Sequence, residues 1–133
     1  MTKGYSLLEL IVVLGIVALL IVVAAPTVQA SVERMTLTAD TRTLLTALRR
    51  LREQALDQQA DIVLNVAGGA VDEIEVSNGE TIALTPGTAV RMRNVVIAWD
   101  GTIAGTLNLA RGEAEVAVTA EPLTGRPIAG AQR

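Results

Sequence analysis

The chain has 133 residues, of which 50% are hydrophobic, a net charge of −3, and no histidine, cysteine or phenylalanine. Those absences exclude serine–histidine catalysis, thiol nucleophiles, disulfides and histidine-ligated zinc. The single basic cluster, Arg49-Arg50-Arg52, is too small for a nucleic-acid footprint, so no nucleic acid is expected as a partner.

The first element is an apolar run. From Leu7 to Ala25 every side chain is apolar or glycine except Glu9. As a helix this run measures about 28 Å, enough to cross a bilayer core. A carboxylate in hydrocarbon costs roughly 2.5–3.5 kcal/mol on insertion scales, which makes Glu9 a functional candidate. Three readings suit the segment. It is a plain single-pass anchor, a secretory signal peptide, or a prepilin leader with its helix. The signal-peptide reading uses Lys3 as the charged start and Val28-Gln29-Ala30 as a small-residue cleavage site before Ser31. The long run and the acid inside it count against that reading.

The segment Gly4-Tyr5-Ser6-Leu7-Leu8-Glu9-Leu10 resembles the cleavage motif of type IV pilins and type II secretion pseudopilins. Lys3 precedes the glycine, an aromatic residue follows it, and Glu9 stands where the family carries its acid. The resemblance implies that a membrane peptidase cuts between Gly4 and Tyr5 on the cytoplasmic side. Tyr5 is then N-methylated. The family more often has phenylalanine at that position; tyrosine keeps the ring and adds a hydroxyl. In this reading the Glu9 carboxylate meets the Tyr5 amine of its own or a neighbouring subunit. Pairing removes the penalty of an isolated charge and fixes the axial offset between helices. The bland alternative is that Glu9 snorkels to the headgroups near the helix start.

Pro26 lacks an N–H and clashes with the preceding turn, so a kink or local melting is expected there. Beyond it the pattern becomes amphipathic. Leu37, Thr41, Leu44, Leu48, Leu51 and Ala55 recur at four- and three-residue spacing and line one helix face. Arg42, Arg49, Arg50 and Glu53 lie off that stripe, with Arg49 and Glu53 placed for an i,i+4 pair. The helix is expected to end near Gln59.

From Asp61 the period becomes two. Strands are expected over 61–66, 73–77, 80–84, 90–99, 106–109 and 115–119. Gly68-Gly69, Asn78-Gly79, Pro86-Gly87, Asp100-Gly101 and Arg111-Gly112 mark the turns between them. Asn78-Gly79 is a hairpin signal that favours positive φ at both central positions. Leu123 to Pro127 turns the chain into its last residues. Without phenylalanine, the core is expected to be aliphatic, with Trp99 as a core anchor.

Trp99-Asp100-Gly101-Thr102, Gly105-Thr106-Leu107-Asn108-Leu109 and Leu123-Thr124-Gly125-Arg126 look like the H-type minor pseudopilins of type II secretion (GspH) and their FimT-like relatives in type IV pili. The stem segment Ala47–Ala55, leading directly into a strand, is similar too. The head is shorter than is usual for that type.

Asp72, Glu73 and Glu75 are not spaced as a calcium loop. Glu73 and Glu75 read as a solvated strand face, as do Arg91 and Arg93. Gly68-Gly69 is not a phosphate loop, because no Gly-Lys-Ser/Thr follows. No catalytic residue, metal or cofactor is expected, and the chain reads as a nonenzymatic structural protein.

The expected fold class is α+β, with a long N-terminal helical stem packed on a small antiparallel β domain of two sheets. The parts are a leader at 1–4, a transmembrane or filament-core helix at 5–26, an amphipathic stem at 27–59 and a β-rich head at 60–133. The resemblance implies a subunit of the type II secretion pseudopilus, held in the inner membrane with its head in the periplasm. Its implied partners are the major G-type and minor I, J and K pseudopilins, the prepilin peptidase, inner-membrane lipid and the secretion machinery. The alternatives are a minor type IV pilin serving pilus initiation, adhesion or DNA uptake, and a secreted binding domain released at Ala30.

Overall fold

The computed structural model describes residues 6–66, 72–120 and 125–130. Two compact units divide the chain, Met1–Val32 and Glu33–Arg133. One helix, α1 (Leu7–Gln58), contributes to both.

In the first unit, every described side chain from Ser6 to Val32 is exposed. The Ser6 carbonyl accepts the Leu10 N–H at 3.1 Å, closing the first helical turn. Glu9 lies in that turn, where the helix dipole favours an acid. The helix does not melt at Pro26. The hydroxyls that follow bond back onto it: Thr27 Oγ1 donates to the Ala24 carbonyl at 2.7 Å, and Ser31 Oγ to that of Thr27 at 2.9 Å. Such back-bonding satisfies a hydroxyl within its own helix.

In the second unit, the predicted stripe is the buried face of α1. Leu37, Thr41, Leu44, Leu48, Leu51 and Ala55 are all buried, and Asp40 is buried among them. The helix ends one residue before its expected limit. Gln59 takes a left-handed conformation (φ 50°), and the Ala60 N–H reaches back to the Ala55 carbonyl. This is a Schellman closure, usually made with glycine.

Among the described residues seven strands follow: β1 (Ile62–Val66), β2 (Glu73–Val76), β3 (Thr81–Ala83), β4 (Ala89–Ile97), β5 (Ile103–Arg111), β6 (Ala114–Ala120) and β7 (Pro127–Ala129). The class is α+β, but the two sheets expected are not found. All seven strands belong to one antiparallel sheet of order β3-β2-β1-β4-β5-β6-β7. The reason lies in the β3–β4 connection. Thr85-Pro86-Gly87-Thr88 turns with Gly87 at φ 90° and the Thr88 N–H on the Thr85 carbonyl. It carries the chain past β2 and β1, so β4 pairs with the free side of β1.

A bulge reshapes this sheet. The β4–β5 register shifts between Arg93 and Val96, where Asn94 is left-handed at φ 48°. Buried positions are Val90 before the bulge and Val95 and Ile97 after it, so the inward phase flips within one strand. Gly105 on β5 faces the bulge. A Cβ there would lie 2.3 Å from the Asn94 carbonyl oxygen, so only glycine fits.

The Asn78-Gly79 hairpin forms, but by a different turn from the one expected. Only Gly79 has positive φ (87°); the Gly79 N–H bonds the Val76 carbonyl, and the Val76 N–H the Glu80 carbonyl. This is a three-residue loop with a glycine bulge, and Asn78 Oδ1 fastens it by accepting the Glu80 N–H at 2.9 Å. The core is aliphatic. Five α1 residues (Leu37, Leu44, Leu48, Leu51 and Ala55) pack with inward side chains of β1 to β6, and among the described residues no aromatic side chain joins them. Gly68-Gly69 and residues 121–124 lie outside the described residues.

Candidate functional site

Gly4 and Tyr5, the expected processing residues, lie outside the described residues. Glu9 and Pro26 are both on the exposed helix of the first unit. The Ser6-Leu7-Leu8-Glu9 segment has the S-x-x-E spacing of a capping box, a second physical reason for an acid at this helix start. The large side chains around Glu9, including Leu7, Leu8, Leu10 and Ile11, are all exposed, and α1 is long and apolar enough to cross a membrane. An exposed apolar surface of this extent marks an interaction site, and a bilayer core is one partner that its length fits.

The second unit carries two polar constellations that sequence reasoning missed. The first is built on Asp40, which is 5% exposed. Its Oδ1 accepts the Thr85 N–H at 3.2 Å and the Thr85 hydroxyl at 2.7 Å, and its Oδ2 accepts the Thr88 hydroxyl. Arg111 Nη1 donates to the Thr88 hydroxyl at 3.2 Å and to the Pro86 carbonyl at 2.9 Å. These contacts fasten α1 and β5 to the β3–β4 turn. The available signal was an aspartate inside the leucine stripe, together with two threonines flanking Pro86-Gly87.

The second constellation is an open groove of about 370 Å³. Among the described residues it is lined by Arg49, Arg52, Glu53, Arg126 and Pro127. Arg49 and Arg52 are one helical turn apart on α1, and Arg126 immediately precedes β7. Arg52 Nε donates to the Gly101 carbonyl at 2.8 Å, which fixes its guanidinium against the β4–β5 turn. Arg50, beside them, pairs with Glu80.

Trp99 is not a core anchor. It is 59% exposed, because β4 ends at Ile97 and the turn begins before the indole. That turn repeats the chemistry of the first hairpin: the Gly101 N–H bonds the Ala98 carbonyl, and Asp100 Oδ1 accepts the Thr102 hydroxyl at 2.7 Å and its N–H at 2.9 Å. The Thr102 hydroxyl and backbone N–H hold the exposed Asp100 carboxyl below its ordinary pKa. Trp99 takes an outward position in the turn, its backbone N–H donating to Asp61 Oδ1 at 2.8 Å. Glu73 and Glu75 face solvent as expected, and so do Arg91 and Arg93.

Fold and surface together define an α+β protein whose helix carries an uncovered apolar segment fit to cross a membrane. No known protein family, characterised protein or solved structure matches the chain.

Proposed function

We propose that this chain is a minor pseudopilin of the H type. In this reading it is a nonenzymatic subunit of the type II secretion pseudopilus, with a pilin-like fold, that assembles near the filament tip and serves export of folded proteins across the outer membrane. The observation that carries the reading is the Gly4-Tyr5 leader motif in register with Glu9 at the start of a long, uncovered apolar helix. The continuation of α1 as a leucine stripe packed on an antiparallel sheet supports it.

The work divides between the parts of the chain. The apolar helix holds the chain in the inner membrane and, after cleavage at Gly4, packs among the helices of the G-, I-, J- and K-type pseudopilins. The Glu9 carboxylate pairs with the methylated Tyr5 amine, and that pair sets the helix register. The β head stands in the periplasm and supplies contact surface. No chemistry is asked of this chain; the force for extension comes from the secretion machinery.

The test is the intact mass and N-terminal sequence of the membrane-extracted protein, with and without prepilin peptidase. A product beginning at methylated Tyr5, lost in Gly4→Ala, is expected. A product beginning at Ser31 refutes the reading and makes the chain an exported soluble domain. Crosslinking in cells then separates secretion partners from those of a type IV pilus, the alternative setting for a FimT-like subunit.

A further inference from the structure

Of the asparagines in the chain, Asn65, Asn94 and Asn108 precede valine or leucine, and Asn78 alone precedes glycine. An asparagine before glycine can lose its side-chain amide to its own backbone. The Gly79 nitrogen attacks Asn78 Cγ, a C–N bond forms, and the Cγ–Nδ2 bond breaks. Nδ2 leaves as ammonia, and the Gly79 N–H proton passes to solvent. Water then opens the five-membered imide. Cleavage of the new bond leaves aspartate in a normal backbone. Cleavage of the bond to the Asn78 carbonyl carbon leaves the chain running through the side chain, as isoaspartate. Water is the one co-reactant, and nothing is oxidised or reduced. Asn78 and Gly79 are both exposed, so water reaches them. Glycine has no Cβ to shield its nitrogen, and the space beside Gly79 is open.

We propose that Asn78 is a deamidation site held closed by its turn and by α1. The folded hairpin occupies every group the reaction needs. The Gly79 N–H donates to the Val76 carbonyl at 2.9 Å. Asn78 Oδ1 accepts the Glu80 N–H at 2.9 Å, and Asn78 Nδ2 donates to Gln54 Oε1 at 3.3 Å. With the nucleophile committed to Val76 and the carboxamide held at both ends, the ring closes only when the turn opens. Opening also means leaving α1, because Gln54 holds Asn78 and Arg50 pairs with Glu80. The reaction therefore samples the population of locally opened hairpin. Its two products differ in fit. The β4–β5 turn already contains the aspartate form: Asp100 Oδ1 accepts the Thr102 N–H, with Gly101 at φ 81° and its N–H on the Ala98 carbonyl. Aspartate at position 78 refits the turn in the same way, with one more negative charge beside the Arg50–Glu80 pair. Isoaspartate lengthens the main chain by a methylene and moves the carboxylate away from the Glu80 N–H, so the turn does not re-form. The site does not depend on which filament the chain joins.

The test incubates the full-length chain at mildly alkaline pH in detergent micelles, beside a second sample in urea. Peptide mass spectrometry follows the exchange of amide for acid at Asn78, and isoaspartyl methyltransferase labels isoaspartate. In urea, Asn78 should react well ahead of Asn65, Asn94 and Asn108. In the folded chain it should react at least about tenfold more slowly than in urea. Arg50→Ala combined with Gln54→Ala should raise the folded rate about threefold or more, with thermal unfolding confirming that the head is folded. Asn78→Asp should melt within about 4 °C of the parent, whereas chains carrying isoaspartate, separated by chromatography, should melt lower. Equal rates in micelles and urea overturn the proposal, as does an Asn78 that stays intact in urea. A folded Arg50→Ala, Gln54→Ala chain that reacts no faster than the parent removes α1 from the gate. An isoaspartate chain as stable as the parent overturns the assignment of the products.

Discussion

Replacing Asp40 by alanine should be among the most damaging single changes available in the second unit. The carboxylate accepts three hydrogen bonds, and both it and Thr88 are buried. Truncation leaves the Thr85 N–H facing an apolar methyl at a cost of about 1–3 kcal/mol, while the two threonine hydroxyls lose a charged acceptor. The hydroxyls can rotate toward other acceptors, so the total comes to about 3–4 kcal/mol. At about 4–8 °C per kcal/mol for a domain of this size, Tm should fall by about 12–30 °C. Asp40→Asn keeps one acceptor oxygen and should cost roughly half as much. Asp57→Ala, at an exposed site on the same helix, should stay within about 0.5 kcal/mol. The assay is thermal unfolding of the full chain in micelles by circular dichroism, with amide exchange read at Thr85. A Tm shift below about 4 °C in Asp40→Ala, or unchanged protection of Thr85, would refute the reasoning.

Gly105→Ala should destabilise by more than about 2 kcal/mol, since its Cβ meets backbone at a position with φ 102°; chemical denaturation measures it, and a neutral result contradicts the bulge geometry. Leu44→Ala, at a fully buried site, should cost about 2–5 kcal/mol by the same measurement. Thr102→Val should raise the Asp100 pKa toward its ordinary value, because the hydroxyl that favours the ionised form is gone. In the parent the depressed pKa contributes stability above the unfolded carboxyl pKa, lost as pH falls through the folded value. The variant should lose less stability over that acid range, and NMR titration of Asp100 checks the shift. If the proposed function holds, Glu9→Gln should leave leader cleavage intact but lower crosslinking of the apolar helix to neighbouring pseudopilins in cells; unchanged crosslinking would remove Glu9 from assembly.

Periodicity explains what the sequence disclosed. Leu37 through Ala55 could be assigned to a buried face because a helix repeats every 3.6 residues whatever it packs against. Glu73 and Glu75 were legible for the same reason at period two. What escaped depended on distant partners or on breaks in the period. Asp40 is polar inside the stripe, and its partners are 45 and 48 residues away. Asn94 flips the phase of β4, a flip that alternation alone does not disclose. Gln59 caps α1 in a conformation usually left to glycine. Residue type alone points Trp99 into the core, whereas the turn that begins before it decides its place. Strand order depended on the path of residues 84–88, which carry no period. The groove joins Arg126 to two helix residues far back in the chain, so it too needed the fold before it could be seen.

The exposed indole of Trp99 gives the molecule an optical property of its own. It is the only tryptophan, and it stands in water in the folded head. Its emission should be red and readily quenched by iodide before any denaturant is added, so it reports unfolding poorly. The same placement makes it a sensitive witness to anything that covers the β4–β5 turn. A blue shift on mixing the intact protein with a candidate partner would locate the contact at that corner of the head, with no label introduced.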